Sequence, residues 1–233
     1  MISNTSLRYK ASRLFCKTII QTAEKIFKLF TTSKFPEFDR ELKNNFNIIR
    51  NEFVEFYSNN AIPSAGEISA EQLRIENTHK WKTLVLKVFG YYNDVNCSKC
   101  PETYKILKDF DNIVSALFSV MEPGTHIKPH RGVFNGVMRY HLGIIVPRSD
   151  KVFINIDKQK RFWKENKSFV FDDTLLHEAV NQSNEKRVIM IIDFLRPLPP
   201  PLAYVNRIIL KIISKSPLIQ NIIENLENLK PSK

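Results

Sequence analysis

Apolar residues recur at helical spacing near both ends of the chain and shift to short alternating runs in the middle. In residues 7–30, Phe15, Ile19, Ile26 and Phe30 repeat at helical intervals while Arg8, Arg13, Lys17, Lys25 and Lys28 line another face. This pattern predicts a basic amphipathic helix. Pro36 marks a boundary, and Leu42, Phe46, Ile49, Phe53 and Phe56 predict a second helix over residues 38–57. Residues 58–80 are polar and turn-rich, with Pro63 and Gly66. WKTLVLKVFGY over residues 81–91 alternates and is rich in large side chains, so it reads as a strand. Pro101 then opens a short helix over residues 102–109, where its fixed φ suits the first turn. Residues 115–121, 138–146, 152–156, 168–171 and 187–194 are short β-prone runs. Pro123-Gly124, Arg131-Gly132 and the polar stretches at 147–150 and 181–184 separate them. Strands at this spacing predict a sandwich or jelly roll. After the proline run that ends at Pro201, residues 202–215 predict a second basic amphipathic helix. Arg207, Lys211 and Lys215 lie on one face and Ile208, Ile209, Ile212 and Ile213 on another. Pro217 breaks it and a last short helix follows. The chain therefore reads as mainly β with flanking helices (α+β), divided into an N-terminal helix over 1–34, a β domain with its own helices over 35–197 and a helical tail over 198–233.

Charge sharpens this division. The 233 residues carry a net charge of +11. Residues 1–34 hold seven Lys/Arg against one Glu, and residues 194–233 hold six against two, so the ends carry about +6 and +4 and the middle about +1. Basic ends suit an anionic surface, phospholipid or nucleic acid. No stacking motif or basic stripe crosses the core, which argues against nucleic acid. Three cysteines, Cys16, Cys97 and Cys100, do not make a secreted disulfide framework, and a single CxxC does not make a zinc site. No run of 18 apolar residues predicts a membrane span, and no secretory leader is read at the N-terminus. The expected location is cytoplasmic, with peripheral contact at the inner face of a membrane.

Candidate chemistry concentrates between Phe118 and Arg187, where four of the five histidines fall. The fifth, His79, reads as a core or surface residue. His130 follows Pro129 at a turn, and His177 follows Phe171-Asp172-Asp173 at a strand end. Two imidazoles from opposite strands suit Fe(II), Zn or Cu, and spacing does not choose among them. Arg139 and Arg187 sit in strand-like runs where an unpaired buried arginine would be costly, which points to a bound carboxylate. Asp172 and Asp173 read as turn residues or as groups behind a ligand.

The segments FSVMEPGTHIKPH (118–130), RYHLG (139–143) and FDDTLLHEA (171–179), with Arg187 ten residues past His177, together carry a resemblance. From about residue 81 to 197 the chain resembles the aspartyl/asparaginyl β-hydroxylases, a branch of the Fe(II)/2-oxoglutarate-dependent oxygenases that includes bacterial lipid A hydroxylases. The resemblance implies a double-stranded β-helix, cupin-like, with Fe(II) held by His130 and His177. It implies that Arg187, helped by Ser119, pairs with the distal carboxylate of 2-oxoglutarate. Arg139 and His141 would contact the other carboxylate or the substrate, and Met121 and Trp163 would line the pocket. It does not use His126 as a ligand, which leaves that residue a structural role. In the wider superfamily a carboxylate stands two residues after the first histidine. Here that position is Gly132, as in the aspartyl hydroxylase type, whereas lipid A hydroxylases carry Asp. Asn166 stands where relatives have Gly, at a turn that asks for positive φ, which Asn tolerates best after Gly.

The implied reaction consumes O2 and 2-oxoglutarate, releases succinate and CO2, and hydroxylates an unactivated C–H. The first expectation for its substrate is the β-carbon of Asp or Asn in a protein or peptide. The alternative is the acyl chain of a lipid at a membrane surface, motivated by the basic ends. A third reading, a non-catalytic binding module on the same fold, is disfavoured because His130, His177, Ser119 and Arg187 are all present.

Overall fold

The computed structural model describes Thr22, Leu29 and residues 25–27 and 35–229. The helix predicted over residues 7–30 thus falls almost wholly outside the described residues. Two helices, α1 (Phe38–Asn44) and α2 (Phe46–Asn59), replace the single helix expected there. Asn45 divides them: its backbone leaves the helical region and its side-chain amide donates to Glu41 O at 2.9 Å. The stretch read as turns holds two short helices, α3 (Ala65–Ile68) and α4 (Ala70–Ile75). A capping box between Ser64 and Glu67 starts α3. The strand expected over 81–91 folds back on itself as β1 (Trp81–Val88) and β2 (Tyr91–Tyr92). The turn between them has positive φ at Phe89 and Gly90. Helices α5 (Asp94–Lys99) and α6 (Pro101–Lys108) follow, then β3 (Ile113–Met121), β4 (Thr125–His130), β5 (Val137–Ile145), β6 (Val152–Ile156), β7 (Gln159–Arg161), β8 (Ser168–Phe171), β9 (His177–Asn181) and β10 (Arg187–Leu195). Helices α7 (Pro200–Ser214) and α8 (Pro217–Asn228) close the described chain. Among the described residues, no helix is long and apolar enough to cross a membrane.

One sheet runs β2-β1-β3-β10-β5-β8 and the other β4-β9-β6-β7, with antiparallel pairing throughout. From β3 to β10 the chain crosses repeatedly between the two sheets, which is the winding of a double-stranded β-helix. The larger sheet is covered on both faces. Phe118, Val120, Tyr140, Leu142, Val188, Met190, Ile192 and Phe194 pack toward the helices with Phe38, Leu42, Ile49 and Phe53. Met121, Ile189 and Ile191 pack toward the smaller sheet with Ile127, Ile154 and Ala179. Double coverage explains why β3, β5 and β10 read as nearly continuous apolar runs and not as strict alternation.

The alternation survives in the polar residues. Side chains alternate faces along a strand, so the face of β10 that carries Ile189 and Ile191 also carries Arg187 and Asp193. On β5 the same face carries Arg139 and His141, and on β3 it carries Ser119. Register brings them together: Arg187 pairs with Met121, Ile189 with Ser119, Ile191 with His141 and Asp193 with Arg139. Three neighbouring strands therefore aim polar groups into the space between the sheets.

The segment before β8 closes over β5 at Gly143. A Cβ there would meet Lys164 O at 2.2 Å, so only glycine permits the approach. Asn166 N donates to Gly143 O at 2.9 Å, and Asn166 has φ 54°, the left-handed turn expected of it. This contact seats Trp163 over the interior. Cys97 and Cys100 are free and buried in the helix-side core, and burial pushes both thiols up to about 12.

Candidate functional site

His130 and His177 face each other across β4 and β9. The register slips between Ile127 and His130, so an extra residue on β4 lets both Ile127 and His130 turn inward. The two ring centroids lie 4.1 Å apart. His130 Nδ1 is 2.8 Å from Lys128 O, and His177 Nδ1 is 2.8 Å from Leu175 O. A carbonyl only accepts, so each Nδ1 carries the proton and each Nε2 keeps its lone pair. Burial, with the neighbouring His177, pushes His130 down to about 4, and burial does the same to His177. Both rings are neutral at neutral pH, the form that binds a divalent transition metal. Among the described residues, no group of three or more His, Cys, Asp or Glu is arranged to hold a metal. The pair offers two ligands and not a closed cage.

Phe171 packs edge-on against His177 at 5.5 Å and against His141 at 5.1 Å, and so joins the histidine pair to a second cluster. At its centre is Arg187, 1% exposed. Its Nη1 donates to Ser119 O at 3.0 Å and Ser119 Oγ at 3.2 Å, its Nη2 lies against Met121 Sδ, and Trp163 stacks 4.4 Å from Cζ. Nε has no partner. Among the described residues no carboxylate pairs with this guanidinium. Burial alone pushes it down to about 9, which leaves it charged at neutral pH. A buried cation without a counter-ion is costly in an apolar interior. Ser119 Oγ also accepts from Trp81 Nε1 at 3.0 Å, so its own proton is free to donate.

His141 is buried beside this arginine. Its Nδ1 accepts from Trp163 Nε1 at 3.2 Å. Burial, with Arg139 and Arg187 nearby, holds the ring well below its ordinary range, so it is neutral. The tautomer follows: Nδ1 accepts, so Nε2 carries the proton, and that donor has no partner. An unanswered buried donor costs about 1–3 kcal/mol. Here two of them, Arg187 Nε and His141 Nε2, ask for an acceptor. The arrangement can hold a metal at the histidine pair and a carboxylate at Arg187.

Arg139 sits differently from Arg187. Its Nε and Nη2 clasp Asp193 at 2.8 and 2.9 Å, and its Nη1 lies 2.5 Å from Asp173 Oδ1. Burial pulls its ionisation down, but Asp173 and Asp193 more than offset that. The resemblance gave Arg139 a contact with the cosubstrate's other carboxylate or with the substrate; in the structure it is engaged by two carboxylates of the chain. Asp173 Oδ1 is also 3.4 Å from His177 Nε2 and takes no aligned hydrogen bond. His126 is exposed, 2.8 Å from Glu178, and stands outside the cluster.

With this geometry in place, comparison with known proteins decides the family. Residues 43–197 match the aspartyl/asparaginyl beta-hydroxylase family. The chain belongs to that family. The proteins similar to it include a lipid hydroxylase and aspartyl/asparaginyl hydroxylases. An ornithine lipid ester-linked acyl 2-hydroxylase of Rhizobium tropici is 35% identical over 87% of this chain and 71% of its own length. The aspartyl/asparaginyl beta-hydroxylase of Mus musculus is 28% identical over 70% of this chain, which spans only 22% of that protein. An aspartate beta-hydroxylase domain-containing protein 2 of Xenopus tropicalis is 30% identical over 67% of this chain and 44% of its own length. Among solved structures, the Cupin_2 domain of an XRE family regulator from Enterobacter cloacae aligns with TM-score 0.36 and 14% identity over 51% of this chain and 99% of that domain.

Two residues of this hydroxylase-family site, Trp81 and Asp193, were not singled out by the sequence, and a third, Asp173, was read there only as a turn residue or a group behind a ligand. Trp81 reaches Ser119 from β1, and only its place opposite Met121 in the register hints at that. Asp193 holds Arg139, and its position on the inward face of β10 was a signal available in the alternation. Asp173 lies over Gly132, where an added Cβ would meet its Oδ2 at 2.0 Å and its Cγ at 2.7 Å. Gly132 N also donates to Asp173 O at 2.8 Å. The carboxylate on the β8–β9 loop thus fills the space that a side chain at 132 would take. Gly132→Ala is therefore expected to push Asp173 off Arg139. We expect a loss of about 1–3 kcal/mol, read as a melting point a few degrees lower, and a roughly tenfold drop in turnover. Wild-type turnover in the variant would show that Asp173 is not needed where it stands.

Proposed function

We propose that the protein is an Fe(II)- and 2-oxoglutarate-dependent hydroxylase acting on the acyl chain of a membrane lipid. The observation that carries the cofactor assignment is Arg187, a fully buried cation with no carboxylate partner among the described residues and an unanswered Nε. A dicarboxylate answers it. Fe(II) would be held by His130 and His177, and with 2-oxoglutarate and O2 it supplies C–H hydroxylation with release of succinate and CO2.

The chain's own residues bind and orient. Arg187 takes the distal carboxylate through its fork, and Ser119 Oγ donates to the same group. Trp163 has two tasks: its ring covers the guanidinium and its N–H fixes the His141 tautomer. His141 Nε2–H then donates to an acceptor between Arg187 and the histidine pair. Arg139, clasped by Asp193, presents Nη1 and its Asp173 partner on the histidine side. Met121, Phe169 and Phe171 close the space and keep water from it.

Two observations favour a lipid acceptor. The ornithine lipid acyl 2-hydroxylase covers more of this chain, and more of its own length is covered, than the animal protein hydroxylase. The loops next to the histidines expose apolar side chains: Val133 is 70% exposed, and Leu175 and Leu176 are also open to solvent. A polar Asp or Asn side chain has little use for such a rim, whereas an acyl chain does. The family name and the animal relatives keep the Asp/Asn β-carbon as the second reading. The test is a paired assay with purified protein, Fe(II), 2-oxoglutarate and O2. One arm contains ester-linked acyl lipids and the other Asp- and Asn-containing peptides. We expect succinate in step with one added oxygen on the acyl chain. Oxygen added to the peptide side chain and not to the lipid would overturn the lipid assignment.

A further inference from the structure

We propose that the outer face of α7, with the loop that follows His130, is a docking surface for an anionic membrane. The inward face of α7 is complete: Leu202, Asn206, Ile209, Leu210 and Ile213 pack against Phe134 and Leu195 or bond the loop. Its outer face is not polar, as a solvated helix would be. Tyr204 is 69% exposed, and Val205, Ile208 and Ile212 are each more than 40% exposed. Arg207, Lys211 and Lys215 stand among them. Between Asp193 and Glu224 the chain has no acidic residue, and among the described residues no carboxylate forms an ion pair with Arg207, Lys211 or Lys215. Basic side chains interleaved with exposed large apolar ones fit the headgroup and acyl layers of an anionic bilayer.

The surface is tied to the candidate site. Asn206 Nδ2 donates to Gly136 O at 2.7 Å, which anchors α7 to the loop leaving His130. Phe27, from the basic N-terminal stretch, packs edge-on against Phe134 of that loop at 6.1 Å. Phe27 and α7 therefore meet on one loop. The same loop exposes Val133, and through Arg131 Nη1 it bonds Thr174 O at 2.8 Å on the loop that exposes Leu175 and Leu176 before His177. Docking through α7 would set the histidine-bearing loops against the lipid, so that an acyl chain reaches them without leaving the bilayer. The purpose of the surface rests on the lipid-hydroxylase reading, but the binding itself requires no metal or cosubstrate.

The test is cosedimentation of the full chain with vesicles, either neutral phosphatidylcholine or a mixture of phosphatidylcholine and phosphatidylglycerol. Each cation near an anionic surface strengthens partition by roughly fivefold. We expect binding to the mixed vesicles that weakens at least tenfold, both on neutral vesicles and on raising salt from about 0.1 M to about 0.5 M. Ile208→Glu with Ile212→Glu should lower binding at least tenfold. Both side chains are exposed, so succinate formation without vesicles should stay at the wild-type level and report an intact fold. Equal binding to neutral vesicles, no binding to mixed ones, or a dimer in solution that the double substitution breaks would each overturn the docking surface. Vesicle binding in a protein that forms no succinate would sustain the surface and remove the hydroxylase reading.

Discussion

Arg187→Met is expected to weaken 2-oxoglutarate binding by about two orders of magnitude while making the ligand-free protein more stable. Methionine matches the length of the arginine stem and can keep the contact with Trp163 and Met121. It removes a buried charge that has no counter-ion among the described residues. Replacing buried ionic groups with apolar ones of similar volume is often neutral or stabilising, by about 1–4 kcal/mol. Removing one partner of a buried charge pair from a complex costs about 2–5 kcal/mol, which for 2-oxoglutarate corresponds to roughly a hundredfold in affinity. The two effects have opposite signs, and that makes the experiment selective. In wild type, saturating 2-oxoglutarate with a divalent metal should raise the melting temperature, since a ligand at about a hundred times its Kd contributes about 2.7 kcal/mol. In the variant that shift should vanish from a higher starting point. A variant that melts lower, yet still responds to 2-oxoglutarate, would show Arg187 to be a structural cation.

His177→Ala is expected to abolish iron binding and to lower 2-oxoglutarate turnover at least about a thousandfold. On the proposed reading the metal is held by His130 and His177, and losing one leaves a single imidazole. Some stability should go too, because His177 is buried between His130 and Phe171. A fold-only explanation is excluded by comparing His126→Ala. His126 is half exposed at its side chain and bonds Glu178 at the surface. We expect that variant to stay within about twofold of wild type. Comparable losses in both variants would mean that the histidine pair is not special.

The strands of the larger sheet were legible as short β-prone runs between turn residues, and the family resemblance named the polar residues on them. Arg187, Ser119, Arg139 and His141 could be named since each stands on a β-prone run with a recognisable motif. Other features depend on tertiary partners. Strand β4 contains two histidines, a lysine and a proline and looks like a turn; its pairing with β9 makes it a strand, and the bulge there aims His130 inward. Asn45 splits a continuous helical pattern because its side chain caps the preceding turn. The engagement of Arg139 by Asp173 and Asp193 was invisible because the three residues come from β5, a loop and β10. The free donor on His141 required knowing that Trp163, twenty-two residues away, holds the other nitrogen. Asn166 is the reverse case: the resemblance set it where relatives have Gly, and the left-handed turn expected from that is the one it makes.

The measurement that bears most directly on the central claim is anaerobic absorption spectroscopy of the purified protein with Fe(II) and 2-oxoglutarate. The account predicts a metal-to-ligand charge-transfer band that needs both additions, is absent in His177→Ala, and in Arg187→Met appears only at about a hundredfold more 2-oxoglutarate. A folded, iron-loaded wild-type protein that shows no band at saturating 2-oxoglutarate would contradict it.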